Sequence, residues 1–182
     1  MLWPLFRPLI RLQFERLAPV WDEMRRPDIL APYTASLGRM DERVERAVDV
    51  GTGTGAGAEA IVERFPEAEV FGVDVSPAML DVARRNIQGV TFVEGDAARL
   101  PFGDGEFDLV AHSNMIPFLD EVARVLRPGG WTFFAFSAGA ETPIYVPPQR
   151  LRRELERRGF TDFAEIAAGR GTALLARRGN RH

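Results

Sequence analysis

A run of glycines and three aspartates are the residues of this 182-residue chain whose types and spacing could do chemistry. Val48-Asp49-Val50-Gly51-Thr52-Gly53-Thr54-Gly55-Ala56-Gly57 reads as a strand entering a glycine-rich turn and then a helix. Glycine belongs there because the backbone must turn tightly and admit a ligand with no Cβ in the way. Four glycines between residues 51 and 57 cost too much entropy to serve packing alone, so the turn points to a nucleotide-like cofactor. Asp74 follows about 20 residues after the loop, at the end of the next strand. A carboxylate there can take two ribose hydroxyls in charge-assisted bonds worth about 1.5–3 kcal/mol each. Gly53-Thr54-Gly55-Ala56-Gly57-Ala58 satisfies the G-x-G-x-x-A dinucleotide form, so a nicotinamide cofactor stays open on these residues. Asp49 before the loop and Asp96 after the third strand shift the balance. Three acids at successive strand ends would repel a pyrophosphate, whereas a cofactor carrying a sulfonium and an ammonium needs anions nearby.

These residues need a scaffold, and the chain predicts one. Strands are expected at Arg46–Val50, Glu69–Asp74, Val90–Glu94, Phe107–Ala111 and Gly130–Ser137, with weaker ones at Phe163–Ala168 and Thr172–Arg177. Helices fit between them at Ala56–Arg64, Pro77–Asn86, Leu119–Leu126 and Gln149–Arg158; Ser76 and Pro77 form a start signal, and Pro128-Gly129-Gly130 and Gly159 are stops. Strand–helix alternation implies an α/β fold with a mostly parallel sheet. Before residue 46, one or two helices broken at Pro8, Pro19, Pro27 and Pro32 are expected to lie against it. The whole is read as a single domain, with residues 1–45 a helical lid and 46–178 the core.

Composition removes much other chemistry. All 23 basic residues are arginine, so lysine Schiff bases and lysine general bases are out. Cysteine is absent, which excludes disulfides, thiolate nucleophiles and Cys-ligated metals. The two histidines, His112 and His182, leave little for a His metal cluster, and none is expected. A net charge of −3 provides no basic field for nucleic acid. No apolar run is long enough to cross a bilayer and no signal peptide is evident, so a cytoplasmic location is expected.

The ordered motifs resemble those of class I S-adenosylmethionine (SAM)-dependent methyltransferases. Val48–Gly55 looks like their first motif, and Phe71-Gly72-Val73-Asp74-Val75-Ser76-Pro77-Ala78-Met79-Leu80-Asp81-Val82-Ala83 like the second. Glu94-Gly95-Asp96-Ala97-Ala98-Arg99-Leu100-Pro101-Phe102 and Phe107-Asp108-Leu109-Val110 resemble the third and fourth. Glu121–Gly130 resembles the approach to the fifth strand, and Leu155–Phe160 the approach to the final hairpin. Within the superfamily the chain is most similar to the small-molecule "methyltransferase type 11" branch, which includes quinone-ring methyltransferases. The resemblance implies a seven-stranded Rossmann-like fold and SAM as methyl donor, with S-adenosyl-L-homocysteine (SAH) as product.

By position, the resemblance implies that Asp49 faces the SAM ammonium, directly or through water, and that Gly51, Gly53, Thr54 and Gly55 line the methionine end. Asp74 would hold the ribose, Val75 and Met79 would pack on adenine, Asp96 would accept from its amino group, and Ala97 would donate a backbone N–H. Ser113 would close the methionine end. His112, expected at the mouth, is a candidate general base or else a pocket-wall residue. Phe14–Asp22 resembles the stretch that crosses the active site in quinone-type relatives, which makes Trp21 and Tyr33 candidates for the acceptor pocket. The connections after the fourth and fifth strands are shorter than in relatives, so part of any lid falls to the N-terminus.

The expected partner is a small apolar or aromatic acceptor, methylated on O, N or C. A catalytically silent SAM-binding subunit and an NAD-type oxidoreductase are the alternatives. Leu2, Leu5, Phe6, Leu9 and Leu12 fall near helical spacing, with Arg7 and Arg11 on another face. Docking on the sheet is expected for that segment, a membrane-surface contact or a dimer seam being the other options.

Overall fold

A computed structural model describes residues 3–24 and 28–180; Leu2, Pro27 and His182 lie outside them. In chain order the elements are α1 (Trp3–Leu17), a 3-10 turn (Ala18–Val20), α2 (Trp21–Met24), α3 (Ala31–Leu37), β1 (Arg46–Val50), α4 (Ala56–Arg64), β2 (Glu69–Asp74), α5 (Pro77–Asn86) and β3 (Val90–Glu94). There follow β4 (Phe107–Ser113), α6 (Leu119–Val125), β5 (Leu126–Phe136), a 3-10 turn (Gly139–Glu141), α7 (Pro148–Glu156), β6 (Phe160–Ala168) and β7 (Gly171–Arg178). The seven strands form one sheet in the order β3-β2-β1-β4-β5-β7-β6. Strands β1 to β5 pair parallel, and β7 runs antiparallel between β5 and β6. The chain walks outward from β1 to β3, then returns to place β4 on β1's other side. The strand ends beside that reversal form the crevice where open α/β sheets bind ligands.

Alternation along the strands separates two apolar layers. Ala47 of β1, Leu109 and Ala111 of β4 and Phe133 of β5 pack with Tyr33, Ala58, Ile61, Leu80 and Ala83 from α3, α4 and α5. Val48, Val50, Val110 and Phe134 face the other way, toward Val122 and Val125 of α6 and Leu151 and Leu155 of α7. Asp49 lies between Val48 and Val50 and so shares the side of Ala47, beneath α3 and α4. Asp108 anchors the start of β1: its Oδ2 accepts the backbone N–H groups of Glu45 and Arg46 at 2.7 and 2.8 Å.

Several boundaries differ from expectation. Pro8 does not break α1. Its ring forfeits one backbone bond, to the Pro4 carbonyl, but that end of the helix is exposed, so the carbonyl is open to solvent. The chain does turn at Pro19, and Pro32 sits in the first turn of α3, where its missing N–H costs nothing. Strand β5 begins at Leu126, which pairs with Phe107 before the Pro128-Gly129 segment bulges out; the ladder resumes at Leu109 and Trp131. Strand β6 starts at Phe160, whose buried ring extends the last hairpin.

Candidate cofactor site

The loop after β1 is fastened to its neighbour strand. The N–H groups of Gly51 and Thr52 donate to the Val73 carbonyl at 2.8 and 3.0 Å. Gly51, Gly53 and Gly55 have φ of 74°, 54° and 92°, the left-handed region that favours glycine, and Gly55 leads into α4. Asp74 braces this loop. One carboxylate oxygen accepts Gly53 N–H at 2.9 Å and the other accepts Ser76 N–H at 2.9 Å. The carboxylate keeps acceptor capacity for a further donor. Burial raises the Asp74 pKa, with the N–H groups of Ser76, Gly53 and Val75 opposing it.

Asp49 is 3% exposed. Tyr33 donates its hydroxyl to Asp49 Oδ1 at 2.9 Å, and α4 packs so closely that a Cβ on Gly57 would lie 2.7 Å from Oδ2. Burial pushes the Asp49 pKa up to about 6; the Tyr33 hydrogen bond and the nearby Thr52 hydroxyl and Ala58 backbone dipoles pull it down, and the Asp74 charge adds to the rise. No arginine contributes to either shift. Two acids therefore flank the glycine loop with no cation between them among the described residues, an arrangement that fits the sulfonium and ammonium of a methionine-derived cofactor. The donor set fits as well, since a glycine-lined turn and a ribose-capable carboxylate meet at the crevice.

Asp96 lies two residues beyond β3 and carries other partners. Its Oδ1 accepts Ala98 N–H at 2.9 Å and the Trp3 indole N–H at 2.8 Å, and its Oδ2 accepts Arg7 at 2.9 Å. Val75 follows β2, Ala97 follows Asp96 in the same turn, and Ser113 ends β4, all partly buried. Met79 is 1% exposed in α5, outside both main apolar layers. Thr54 is buried, and its hydroxyl donates to Asp22 Oδ1 of α2 at 2.6 Å rather than facing the loop. Trp21 stands over the loop: a Cβ on Gly53 would be 3.9 Å from its Nε1, and its ring packs edge-on to Phe14.

Two expected placements are corrected. Tyr33 is fully buried, edge-on to Phe133 with its hydroxyl on Asp49; it supports the site from beneath and does not line an acceptor pocket. His112 is not at the mouth. It lies inside β4, 2% exposed and stacked on Phe134 at 4.5 Å, because β4 runs two residues longer than expected. Its Nδ1 is 3.3 Å from the Phe133 carbonyl, and burial lowers its pKa to about 4.

The sequence reading missed Trp3, Arg7, Asp22, Met115 and Asn114. Met115 Sδ would be 2.9 Å from a Cβ on Gly51, so it walls the loop. Asn114, at φ 50°, exchanges two 2.9 Å hydrogen bonds with Ser137 and ties the ends of β4 and β5 together. Its position between a strand and a turn was a usable signal. Trp3 and Arg7 had none, since their partner is about 90 residues away in sequence.

Residues 47–130 match the family model described as "Methyltransferase domain". Over that stretch the chain is similar to a methyltransferase domain. The chain is 39% identical over 122 residues to the fatty-acid O-methyltransferase of Mycolicibacterium smegmatis, covering 62% of this chain and 44% of that protein. It is 38% identical over 136 residues to the demethylmenaquinone methyltransferase of Thermus thermophilus, covering 64% and 60%. The chain thus spans less than two thirds of the length of either relative. Among solved structures, a chain in the complex of a Haloferax volcanii methyltransferase with its activator superposes with a TM-score of 0.78. That match, at 21% identity, covers 92% of this chain and 98% of the other and supports the methyltransferase fold.

Proposed function

We propose that this chain transfers the methyl group of SAM to an oxygen, nitrogen or carbon of a small apolar or aromatic molecule and releases SAH. The observation that carries the proposal is the Asp49–Asp74 pair, one buried and one partly buried acid beside a glycine loop, with no cationic partner among the described residues. SAM supplies an already electrophilic methyl on its sulfonium. Asp74 would accept the ribose hydroxyls with the acceptor capacity its carboxylate keeps. Asp49 would act through its charge, held by Tyr33 and Ala58. The backbone of Gly51, Gly53 and Gly55 lines the methionine end, with Ser113 closing it. Val75, Met79 and the Ala97 N–H frame the adenine end, where Asp96 accepts the amino group. The hydroxyl of Thr54, turned to Asp22, serves to hold α2 over the loop.

His112 is assigned to the wall rather than to proton transfer. Burial against Phe134 leaves it no path to an acceptor. Alignment of nucleophile and methyl, which can supply about 7–11 kcal/mol, is then the protein's main contribution. Trp21 would offer an aromatic face to the acceptor. The fatty-acid and demethylmenaquinone substrates in the names of the two relatives support an apolar acceptor.

Calorimetric titration with SAM, SAH and NAD(H) in parallel tests the reading. Micromolar SAM or SAH binding is expected, weakened by Asp74→Asn and more by Asp74→Ala; loss of charge-assisted bonds to ribose corresponds to roughly ten- to a hundred-fold. Binding of NAD(H) in preference to SAM would overturn it. An acceptor screen reading SAH release then separates an enzyme from a silent SAM-binding subunit.

A further inference from the structure

Helix α1 turns the unexpected face inward. Leu5 and Leu9 are 70% and 65% exposed, while Arg7 and Arg11 reach the acids at the end of β3, with Arg7 on Asp96 at 2.9 Å and Arg11 on Glu94 at 3.3 Å. Trp3 lies one turn before Arg7. Its indole N–H donates to Asp96 Oδ1 at 2.8 Å, and its ring meets Phe118 edge-on, centroids 5.1 Å apart. Oδ1 already accepts Ala98 N–H at 2.9 Å, so with Trp3 both of its lone pairs are in use; Arg7 takes one of the two on Oδ2.

An indole is a planar bicycle with one ring N–H. Beside a carboxylate, with an aromatic edge next to it, it satisfies the requirements of an adenine ring and amino group. We propose that Trp3 and Arg7 are an internal competitor for the adenine end of the cofactor site. Trp3 occupies Asp96 in the free protein, and SAM or SAH binds only after α1's first turn releases it. This rests on the reading of Asp96 as the adenine acceptor. Release is feasible because α1 buries no residue completely, so its departure leaves both apolar layers of the sheet intact. The apparent affinity for cofactor is then the intrinsic affinity reduced by the fraction of molecules whose α1 is released.

The test is SAH affinity by calorimetry, with thermal midpoints to confirm folding. Trp3→Ala and Arg7→Ala should each tighten SAH binding, Trp3→Ala by about tenfold, the scale of one charge-assisted hydrogen bond at a partly exposed site. Trp3→Phe, which keeps the ring but loses the N–H, should fall between. In wild-type protein the Trp3 indole N–H resonance, assigned by its absence from Trp3→Phe, should shift toward solvent-exposed indole as SAH saturates. Unchanged or weaker SAH binding in both Trp3→Ala and Arg7→Ala would show that α1 walls the site and overturn the competition. Asp96→Asn in the Trp3→Ala/Arg7→Ala background isolates the underlying reading, because no side chain of α1 competes for Asp96 there. Weakened binding upholds Asp96 as adenine acceptor. Unaltered binding removes that reading and the proposal with it, whatever Trp3→Ala does.

Discussion

Asp49 and His112 are buried on neighbouring strands and shifted in opposite senses, Asp49 up to about 6 and His112 down to about 4. Between pH 4 and 6 the folded protein holds the Asp49 proton that the unfolded chain has released, so stability falls as pH rises through that window. Each pKa unit is worth 1.36 kcal/mol, which makes the loss about 3 kcal/mol. His112 behaves the other way. The unfolded chain binds its proton below pH 6.5 while the folded state excludes it, so stability rises by about 3 kcal/mol from pH 4 to 6.5. The two slopes nearly cancel in the wild type. Urea unfolding across pH 4–7 should therefore give a steeper rise with pH for Asp49→Asn and a fall for His112→Asn, each relative to wild type. Superimposable pH slopes for the three proteins would mean that neither group is shifted. The same titration bears on function, because only charged Asp49 attracts an ammonium, and SAM affinity should weaken below about pH 6.

At the scale of elements, the first turn of α4 joins fold to site. Alanine is a better helix former than glycine by about 0.8–1.0 kcal/mol, yet a Cβ at Gly57 would lie 2.7 Å from Asp49 Oδ2 and 3.0 Å from its Cγ. Gly57→Ala must push α4 off β1 or turn the carboxylate away from Tyr33. It should destabilise by about 1–3 kcal/mol and weaken SAH binding, as measured by denaturation and calorimetry. In an Asp49→Ala background the carboxylate is gone, and the same substitution should cost less than 0.5 kcal/mol or become stabilising. Equal costs in both backgrounds would locate the strain elsewhere. The elements around this turn were legible in the sequence. Strands β1, β2 and β3 and helices α4 and α5 match expectation residue for residue, since glycine turns and the Ser76-Pro77 cap end them locally. Residues 160–162 and the start of β5 were not legible, because a bulge and a sheet partner far along the chain decide them. The orientation of α1 was equally hidden. It has apolar side chains around most of its circumference, and the arginines on the face away from the leucines were drawn inward by Asp96 and Glu94. The three acids were legible as strand-end residues. The helix that covers one of them was not.

Across the whole molecule, stability is unevenly distributed, and α1 sits at its weak end. The strands share two apolar layers, whereas α1 has no fully buried residue and holds to the body through Trp3, Arg7, Arg11 and Phe14 at partly exposed sites. Exposed ion pairs contribute only about 0–1 kcal/mol each. Local release of α1 should therefore cost a few kcal/mol at most, against the roughly 5–15 kcal/mol needed to unfold a domain globally. Native-state hydrogen exchange should show the backbone amides of α1 exchanging at least a hundred-fold faster than those of β1, β4 and β5, since about 2.7 kcal/mol of extra protection already amounts to that ratio. Saturating SAH should slow exchange in the loop from Gly51 to Gly57, because bound ligand adds its free energy to any opening that disrupts the site. If Trp3 competes for Asp96, the same ligand should leave the first turns of α1 as fast or faster. If α1 instead closes over bound cofactor, its amides should slow together with the loop. Leu5→Gln with Leu9→Gln alters only the outward face, so exchange of the sheet and SAH affinity should both stay at wild-type values. A change in either would mean that the exposed stripe of α1, and not its inward residues, couples this helix to the site.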